Sequence, residues 1–385
     1  MQKIGLVTYY GDNFGACMQA YALQTVLCEL KGNCEIIACP EGSPDSFQSH
    51  SQGHLIKNAL KALLNGKFFS RYKTRKFVLQ TNKNIHNRCE SFRLQYLNII
   101  HNGNHTWGDF YINIPNYDAY VCGSDQIWNP TFYGQCHPIY YLNFVSSGKR
   151  KVAYAPSIGI KNIEDKHKDT LMEYLSTFDA VSVRESNAIG LLQPFCKKTI
   201  HWVLDPTLLI SKEKYDTLNY DIDIPKEPYV FCYLFGEKKD TAQIKKKIVK
   251  RLGLKVVSVP FVAREILSKD KKLNNIGPTD FINLIKNAAF VLTDSFHATA
   301  FSINFQVPFV SLLRQEITEK NEMSSRLYSI LAKLKLEHRL VKDERSIPRE
   351  LLNLNFSESE LLLNKYRFES IDFLKEALKN GNKDE

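Results

Sequence analysis

Apolar and polar positions follow a repeating order along this chain. A short apolar run gives way to a turn, and then to a longer stretch with apolar residues three or four apart. Residues 3–9 read as a buried strand, followed by Gly11-Asp-Asn-Phe-Gly15. A helix is predicted from Ala16 to Lys31, with Met18, Ala22, Val26 and Leu30 on one face and Gly32 as its stop. A strand at 35–38 completes a β-loop-α-β unit. The alternation lapses over 46–108. It resumes with strands at 117–122, 152–155, 180–183 and around Val203, and with helices at 163–177 and 185–192. Residues 219–228 are polar, carry two prolines and read as a linker. Beyond it come strands at 229–235, 255–259, 290–293 and 308–312. Helices fall at 241–252, 279–288 (Thr279 as N-cap) and 297–304, with amphipathic helix at 357–380.

Strands alternating with helices build parallel sheets covered on both faces. The expected class is therefore α/β, with two Rossmann-like domains facing a cleft, at 1–218 and 226–345. A basic helical insertion (46–108) sits in the first domain, and a helical tail (346–385) ends the chain. Ligands in such sheets lie at the carboxyl ends of the strands.

Composition changes this picture in one place. The chain has 385 residues, 44% of them hydrophobic, enough for two cores and too apolar for disorder. Its net charge is +10, but ten basic residues and a single acid, Glu90, fall between Ser46 and Gly108. The rest is nearly neutral, which excludes a uniformly basic nucleic-acid binder, and no nucleic-acid partner is expected. Within the basic stretch, 55–64 places Ile56, Leu60, Leu63 and Leu64 on one helical face beside Lys57 and Lys61. That pattern fits a peripheral membrane contact through 46–108. It fits equally a helix docked on the protein with solvated lysines. No apolar run reaches 18 residues, and the N-terminal residues lack a signal-peptide pattern. Nine scattered cysteines form no Cys-x-x-Cys pair, and no Cys/His cluster has zinc spacing. The expected setting is the cytoplasm, at most at the inner membrane face, with no metal and no bound cofactor.

Four segments carry candidate chemistry at strand ends. Gly11–Gly15 offers backbone N–H groups to an anion or hydroxyl, and is also an ordinary tight βα turn. Gly123-Ser-Asp-Gln-Ile-Trp-Asn-Pro130 combines hydroxyl-binding groups with an indole that could cover a sugar face, and also fits a turn around a buried Trp. Arg184, closing the strand 180–183, suits bidentate capture of phosphate or carboxylate, or a surface pair with Glu185. Ser295 and His297 stand where a strand meets a helix. The helix start and the hydroxyl suit a phosphate, and the imidazole suits acid–base work.

Taken together these segments resemble the polysaccharide pyruvyl transferase family. The likeness runs through Tyr10–Gln24, Cys122–Pro130, Ser182–Glu185, Leu204–Leu209 and Thr293–Ser302, with Ser325-Arg326 and the helix after it. It spans about residues 4–340 in order and is poorest over 46–108. The resemblance implies a fold like the two-Rossmann GT-B glycosyltransferases. It implies phosphoenolpyruvate as co-substrate and a sugar or lipid-linked glycan as acceptor. The product would be a pyruvate ketal made in cell-surface polysaccharide biosynthesis, with phosphate released. On that reading Arg184, Ser295, His297 and Arg326 bind the donor, with His297 and Arg184 catalytic. Asn13, Asp125 and Trp128 face the acceptor. A GT-B-type nucleotide-sugar glycosyltransferase is the alternative.

Overall fold

The computed structural model describes residues 2–39, 68–101, 110–111, 113–236, 238–314 and 324–379. In the first lobe β1 (Gln2–Val7), α1 (Phe14–Lys31) and β2 (Gly32–Ile37) form the expected opening unit. Asn13 caps α1, and Gly32, in the left-handed region, ends it. Then come α2 (Phe68–Tyr96), β3 (Ile99–Ile100), β4 (Ala119–Cys122), β5 (Arg150–Ala153), α3 (Lys168–Ser176), β6 (Ala180–Val183), α4 (Ser186–Leu192) and β7 (Ile200–Trp202). The second lobe holds β8 (Tyr229–Tyr233), α5 (Lys239–Leu252), β9 (Lys255–Ser258), β10 (Lys271–Lys272), α6 (Pro278–Lys286), β11 (Phe290–Thr293), α7 (Phe296–Asn304), β12 (Phe309–Leu312), α8 (Ser325–Lys333) and β13 (Leu340–Val341). A long helix, α9 (Ser357–Ala377), closes the described chain.

The strands form two sheets, ordered β3-β2-β1-β4-β5-β6-β7 and β10-β9-β8-β11-β12-β13, with parallel pairing throughout. Both orders are the doubly wound one, reversing between β1 and β4 and between β8 and β11. Nearly every residue of β4, β8, β11 and β12 is buried, as strands covered on two faces must be. The chain is thus two Rossmann-like lobes, as the periodicity predicts.

Three local expectations change. Gly277, not Thr279, precedes α6. Pro278 occupies the first turn, and the Asp280 carboxylate accepts from the Gly277 amide at 2.8 Å. The helix expected at 163–177 starts as a short 3-10 turn and is α-helical only over Lys168–Ser176. The strands β3, β10 and β13 add to the expected set; at two residues each they are too short for a period of two to show in the sequence.

The C-terminal helix is no separate tail. The Leu204 amide donates to Ser370 Oγ (3.0 Å), Arg150 donates to the Ala377 carbonyl (2.8 Å), and Arg367 reaches the Leu208 carbonyl and Asn304 Oδ1 (2.6 and 2.7 Å). It therefore returns to the first lobe while touching the second.

The basic stretch also differs from expectation. The amphipathic run 55–64 lies outside the described residues. The later part, α2, straps the lobes together. Arg88 pairs with Asp280 at 2.6 Å and with Asp221 at 2.8 Å, and Asn84 donates to the Asn274 carbonyl (3.0 Å). Arg93 donates to Asp12 and to the Tyr10 carbonyl, both at 3.1 Å, on the loop after β1. Part of the positive charge is therefore internal mortar rather than a free surface. We predict that Arg88→Ala lowers unfolding free energy by about 2 kcal/mol, because the Asp280 carboxylate loses its charged partner. Exposed Lys76→Ala stays within about 0.5 kcal/mol of the parent in the same denaturant titration.

Candidate functional site

The carboxyl ends of β4 to β7 converge on one carboxylate. Asp205, just past β7, is 1% exposed. Its Oδ1 accepts from the Thr207 amide (3.0 Å) and hydroxyl (2.7 Å), so it caps the short turn at 206–208. Its Oδ2 accepts from Arg184 Nη1 at 2.7 Å and lies 3.2 Å from Ser124 Oγ. Arg184 Nη2 reaches Asp125 Oδ1 at 3.3 Å. The next residue, Glu185, is wholly buried. Its Oε1 accepts from Ser157 Oγ (2.9 Å) and from the amides of Ile158 (2.8 Å) and Gly159 (3.2 Å), which pins the loop after β5.

Gly123 belongs to this turn for steric reasons. Its φ is +133°, and a Cβ there would sit 1.8 Å from the Tyr154 carbonyl oxygen. Gln19 on α1 ties the two halves of the first sheet's switch point. Its amide donates to Thr8 Oγ1 (3.0 Å) and to the Tyr9 carbonyl (2.6 Å), and its carbonyl accepts from the Ser124 amide (3.1 Å).

The second lobe adds His297, Phe296 and Arg326. Ser295 caps α7, its hydroxyl accepting from the Ala298 amide at 3.4 Å. This places His297 in the first turn with Nε2 3.8 Å from Asp205 Oδ2. A Cβ on Gly15 would meet His297 Nδ1 at 2.2 Å, so only glycine lets α1 approach the imidazole. That gives the second glycine of Gly11–Gly15 a role in packing between lobes. The guanidinium of Arg184 lies 4.5 Å from the centre of the Phe296 ring, and that of Arg326 lies 5.8 Å from it. Phe296 is thus an apolar spacer between two cations.

Three buried polar atoms here have no hydrogen-bond partner: Arg184 Nε, Glu185 Oε2 and His297 Nε2. Native interiors leave few such atoms. Burial favours the neutral form of Asp125 and of Asp205, but Arg184 and His297 outweigh it and hold both pKa values below the ordinary carboxylate range. Burial works against the Arg184 charge too, and Asp205, Asp125 and Glu185 more than restore it. Burial lowers the His297 pKa, with Arg184 and Arg326 adding to that and the two aspartates opposing it. Arg326 is pushed down to about 10, by burial first and then by Arg184.

Five of the predicted site residues, Asp125, Arg184, Ser295, His297 and Arg326, gather in this cluster. Two others do not fit as expected. Trp128 is 1% exposed, stacks on Tyr141 with centroids 4.9 Å apart, meets Phe178 edge-on, and donates Nε1–H to the Tyr140 carbonyl. Its faces are covered, so it is a core residue and not an acceptor platform. Asn13 is exposed, and its side-chain oxygen serves the Ala16 amide as the cap of α1. Arg184 is also more tightly held than a bare phosphate ligand would be. Asp205, Glu185 and Ser124 went unassigned. A carboxylate before Pro-Thr is the pattern of a capping Asp, and nothing in the sequence marks its second oxygen as the partner of Arg184. Among the described residues no group of three or more His, Cys, Asp or Glu side chains could hold a metal ion. No described helix is long and apolar enough to cross a membrane.

A family model for polysaccharide pyruvyl transferases matches residues 13–316, a span that contains every cluster residue except Arg326. This chain belongs to the polysaccharide pyruvyl transferase family. A search of curated proteins finds no match. Among solved structures, a putative UDP-N-acetylglucosamine 2-epimerase from Listeria monocytogenes is similar at 12% identity and a TM-score of 0.47, over 97% of this chain and 91% of that one. The UDP-GlcNAc 2-epimerase of Methanocaldococcus jannaschii, in complex with UDP-GlcNAc and UDP, follows at 11% and 0.45, over 95% and 99%. The E. coli ADP-heptose LPS heptosyltransferase II stands at 11% and 0.35, over 95% and 99%. At these scores the likeness is one of general outline, and the two-lobed architecture of this transferase-family chain stands on its own strand order.

The buried imidazole makes a prediction about stability. Its folded pKa is lowered, so below about pH 6.5 the unfolded chain takes up a proton that folded His297 does not. Unfolding free energy therefore falls as pH drops from 7 towards 5, and the fall is shallower in His297→Gln. His137, held down to about 4 by burial, supplies part of the remaining slope in both proteins.

Proposed function

We propose that this protein transfers the enolpyruvyl moiety of phosphoenolpyruvate onto two hydroxyls of one sugar, forming a cyclic pyruvate ketal and releasing inorganic phosphate. The observation that carries this reading is the trio of unpartnered buried atoms on Arg184, Glu185 and His297, in a chain whose family is that of pyruvyl transferases. The trio offers a cationic donor, an anionic acceptor and an imidazole nitrogen together, which an anionic enol phosphate and a diol require between them.

A proton is added to the methylene carbon C3, and C2 becomes electrophilic. A sugar hydroxyl attacks C2 and gives up its proton. Phosphate leaves with the C2–O electron pair, and the neighbouring hydroxyl closes the ring and loses its proton in turn. Each product carries one ketal carbon, one new methyl group and one fewer hydroxyl pair, and one phosphate is set free.

His297 is our candidate for the proton transfers. Near pH 7 burial keeps it neutral, a state suited to taking the hydroxyl proton. A phosphoenolpyruvate beside Arg184 and Arg326 offsets the two charges that help to lower the imidazole pKa. His297 then gains a proton from solvent, delivers it to C3 and, neutral again, takes the proton of the attacking hydroxyl. Arg184, fixed by Asp205 and Asp125, has its Nε–H left for the carboxylate or for a developing oxyanion. Asp125 and Glu185, at the ends of β4 and β6, are placed for acceptor hydroxyls. The sugar acceptor is a proposal at the level of class, a glycan with a free diol.

In the test, purified protein is given phosphoenolpyruvate with and without glycosides, and phosphate is followed in time. Phosphate is expected only when an acceptor is present. His297→Gln should cut kcat by about 10²–10⁴ while the KM for phosphoenolpyruvate moves little. Full turnover in that variant would remove the assigned role. Consumption of a nucleotide sugar in place of phosphoenolpyruvate would replace the whole reading.

A further inference from the structure

Helix α8 belongs to the second lobe but presents one stripe to the first. Ser329 accepts from the Ser186 amide at 3.2 Å, and its hydroxyl lies 3.2 Å from that of Ser186. Ser186 opens α4, whose N-cap, Glu185, makes no side-chain cap bond, so a hydroxyl from the other lobe serves that helix end. One turn further on, Lys333 donates to the Trp202 carbonyl at 3.3 Å. It lies over the rings of Trp202 and Tyr366, at 3.7 and 4.1 Å. Trp202 Nε1 in turn donates to the Arg184 carbonyl at 3.1 Å. Residues 329 and 333 thus point α8 at the strand ends bearing Arg184 and Glu185.

Ser325 lies four residues before Ser329, so the two side chains share a face. That face is turned to the first lobe, beside the site. The Ser325 hydroxyl is buried, at 5% exposure, and has no hydrogen-bond partner. Ser325 is also the first residue of a nine-residue helix. The cap before it, Ser324, has helical backbone angles and makes no side-chain cap bond. Helix geometry leaves the Ser325 amide without an intrahelical acceptor. A buried helix start, an unserved hydroxyl and the adjacent Arg326 all favour the same guest, a phosphate group. The other helix start in the cluster is less suited, since Ser295 already caps α7.

We propose that the N-terminus of α8, through the Ser325 hydroxyl and amide, is the binding site for the phosphoryl group of the donor. This rests on the phosphoenolpyruvate reading and deepens it. Arg184 is largely neutralised by its two aspartates, so the phosphoryl charge goes to the helix start and Arg326, while the enol carbon faces His297. The site lies at the seam, where α8 already meets α4 through Ser329 and Ser186.

The test uses the full chain with inorganic phosphate and phosphoenolpyruvate, each titrated calorimetrically, and with UDP as competitor. Ser325→Ala should weaken both ligands about tenfold. Ser325→Asp should abolish binding of both yet keep or raise the thermal midpoint, because a carboxylate suits the first turn of a helix. That second variant separates a lost site from a lost fold. Parent affinity for phosphate in both variants, or no phosphate binding by the parent, overturns the site. Displacement of phosphate by UDP but not by phosphoenolpyruvate also overturns it as a donor site. Ser325-dependent binding of phosphoenolpyruvate with no turnover on any acceptor supports the site while the ketal reading fails. Turnover with an unchanged KM in both variants does the reverse.

Discussion

The ion pair between Arg184 and Asp205 is the interaction on which the rest of the cluster depends. Both side chains are out of water, which costs several kcal/mol per charge unless each is met by close partners. The surrounding structure supplies them. Thr207 holds one oxygen of Asp205, Ser124 stands beside the other, and Asp125 takes the second arm of Arg184. Ser124 and Asp125 follow β4, Arg184 follows β6, and Asp205 and Thr207 follow β7, so the pair ties together the loops after those three strands. The imidazole of His297 then approaches the same carboxylate from the second lobe. The carboxylate that fixes the arginine thus also tunes the proposed acid–base group.

Two lobes built this way need a defined seam, and apolar and polar contacts share it: Phe14 of α1 packs on Tyr233 and Phe281 of the second lobe, and polar bonds surround that contact. Asn304 of α7 donates to the carbonyls of Thr207 and Ile210, at 3.0 and 3.1 Å. α2 crosses from one lobe to the other through Arg88, α8 does so through Ser329 and Lys333, and α9 returns to the first sheet. Directional contacts of this kind hold an orientation that apolar packing alone leaves loose. The charge that stood out in the sequence belongs partly to this seam. Arg88 and Arg93 act inside the protein, within a stretch whose composition alone suggests a surface.

The architecture was legible because it rests on periodicity. Buried parallel strands and amphipathic helices leave patterns that survive without knowledge of partners, and both sheets appear where the alternation runs. Residues at strand ends were legible by position, which is how Arg184, Ser295 and His297 were singled out. What a side chain meets there is a tertiary fact. Trp128 followed a plausible polar turn, yet its neighbours Tyr141 and Phe178 arrive from other parts of the chain and cover it. Asp205 caps the turn at 206–208, but its pairing with Arg184 closes across 21 residues that no spacing rule connects. Ser325 stands in a segment that carries the family likeness, but its place at the seam follows only from the contact of its helix neighbour Ser329 with the opposite lobe.

The central claim is that one site joins an anionic enol phosphate to a diol. The most direct measurement is the mass of the acceptor after incubation with phosphoenolpyruvate and the protein, across a panel of synthetic and lipid-linked glycosides. The account predicts a product heavier by one pyruvate less one water, which has lost two free hydroxyls, with one phosphate released per adduct. An acceptor that gains a sugar residue, or phosphate released with no adduct on any glycoside, would contradict it.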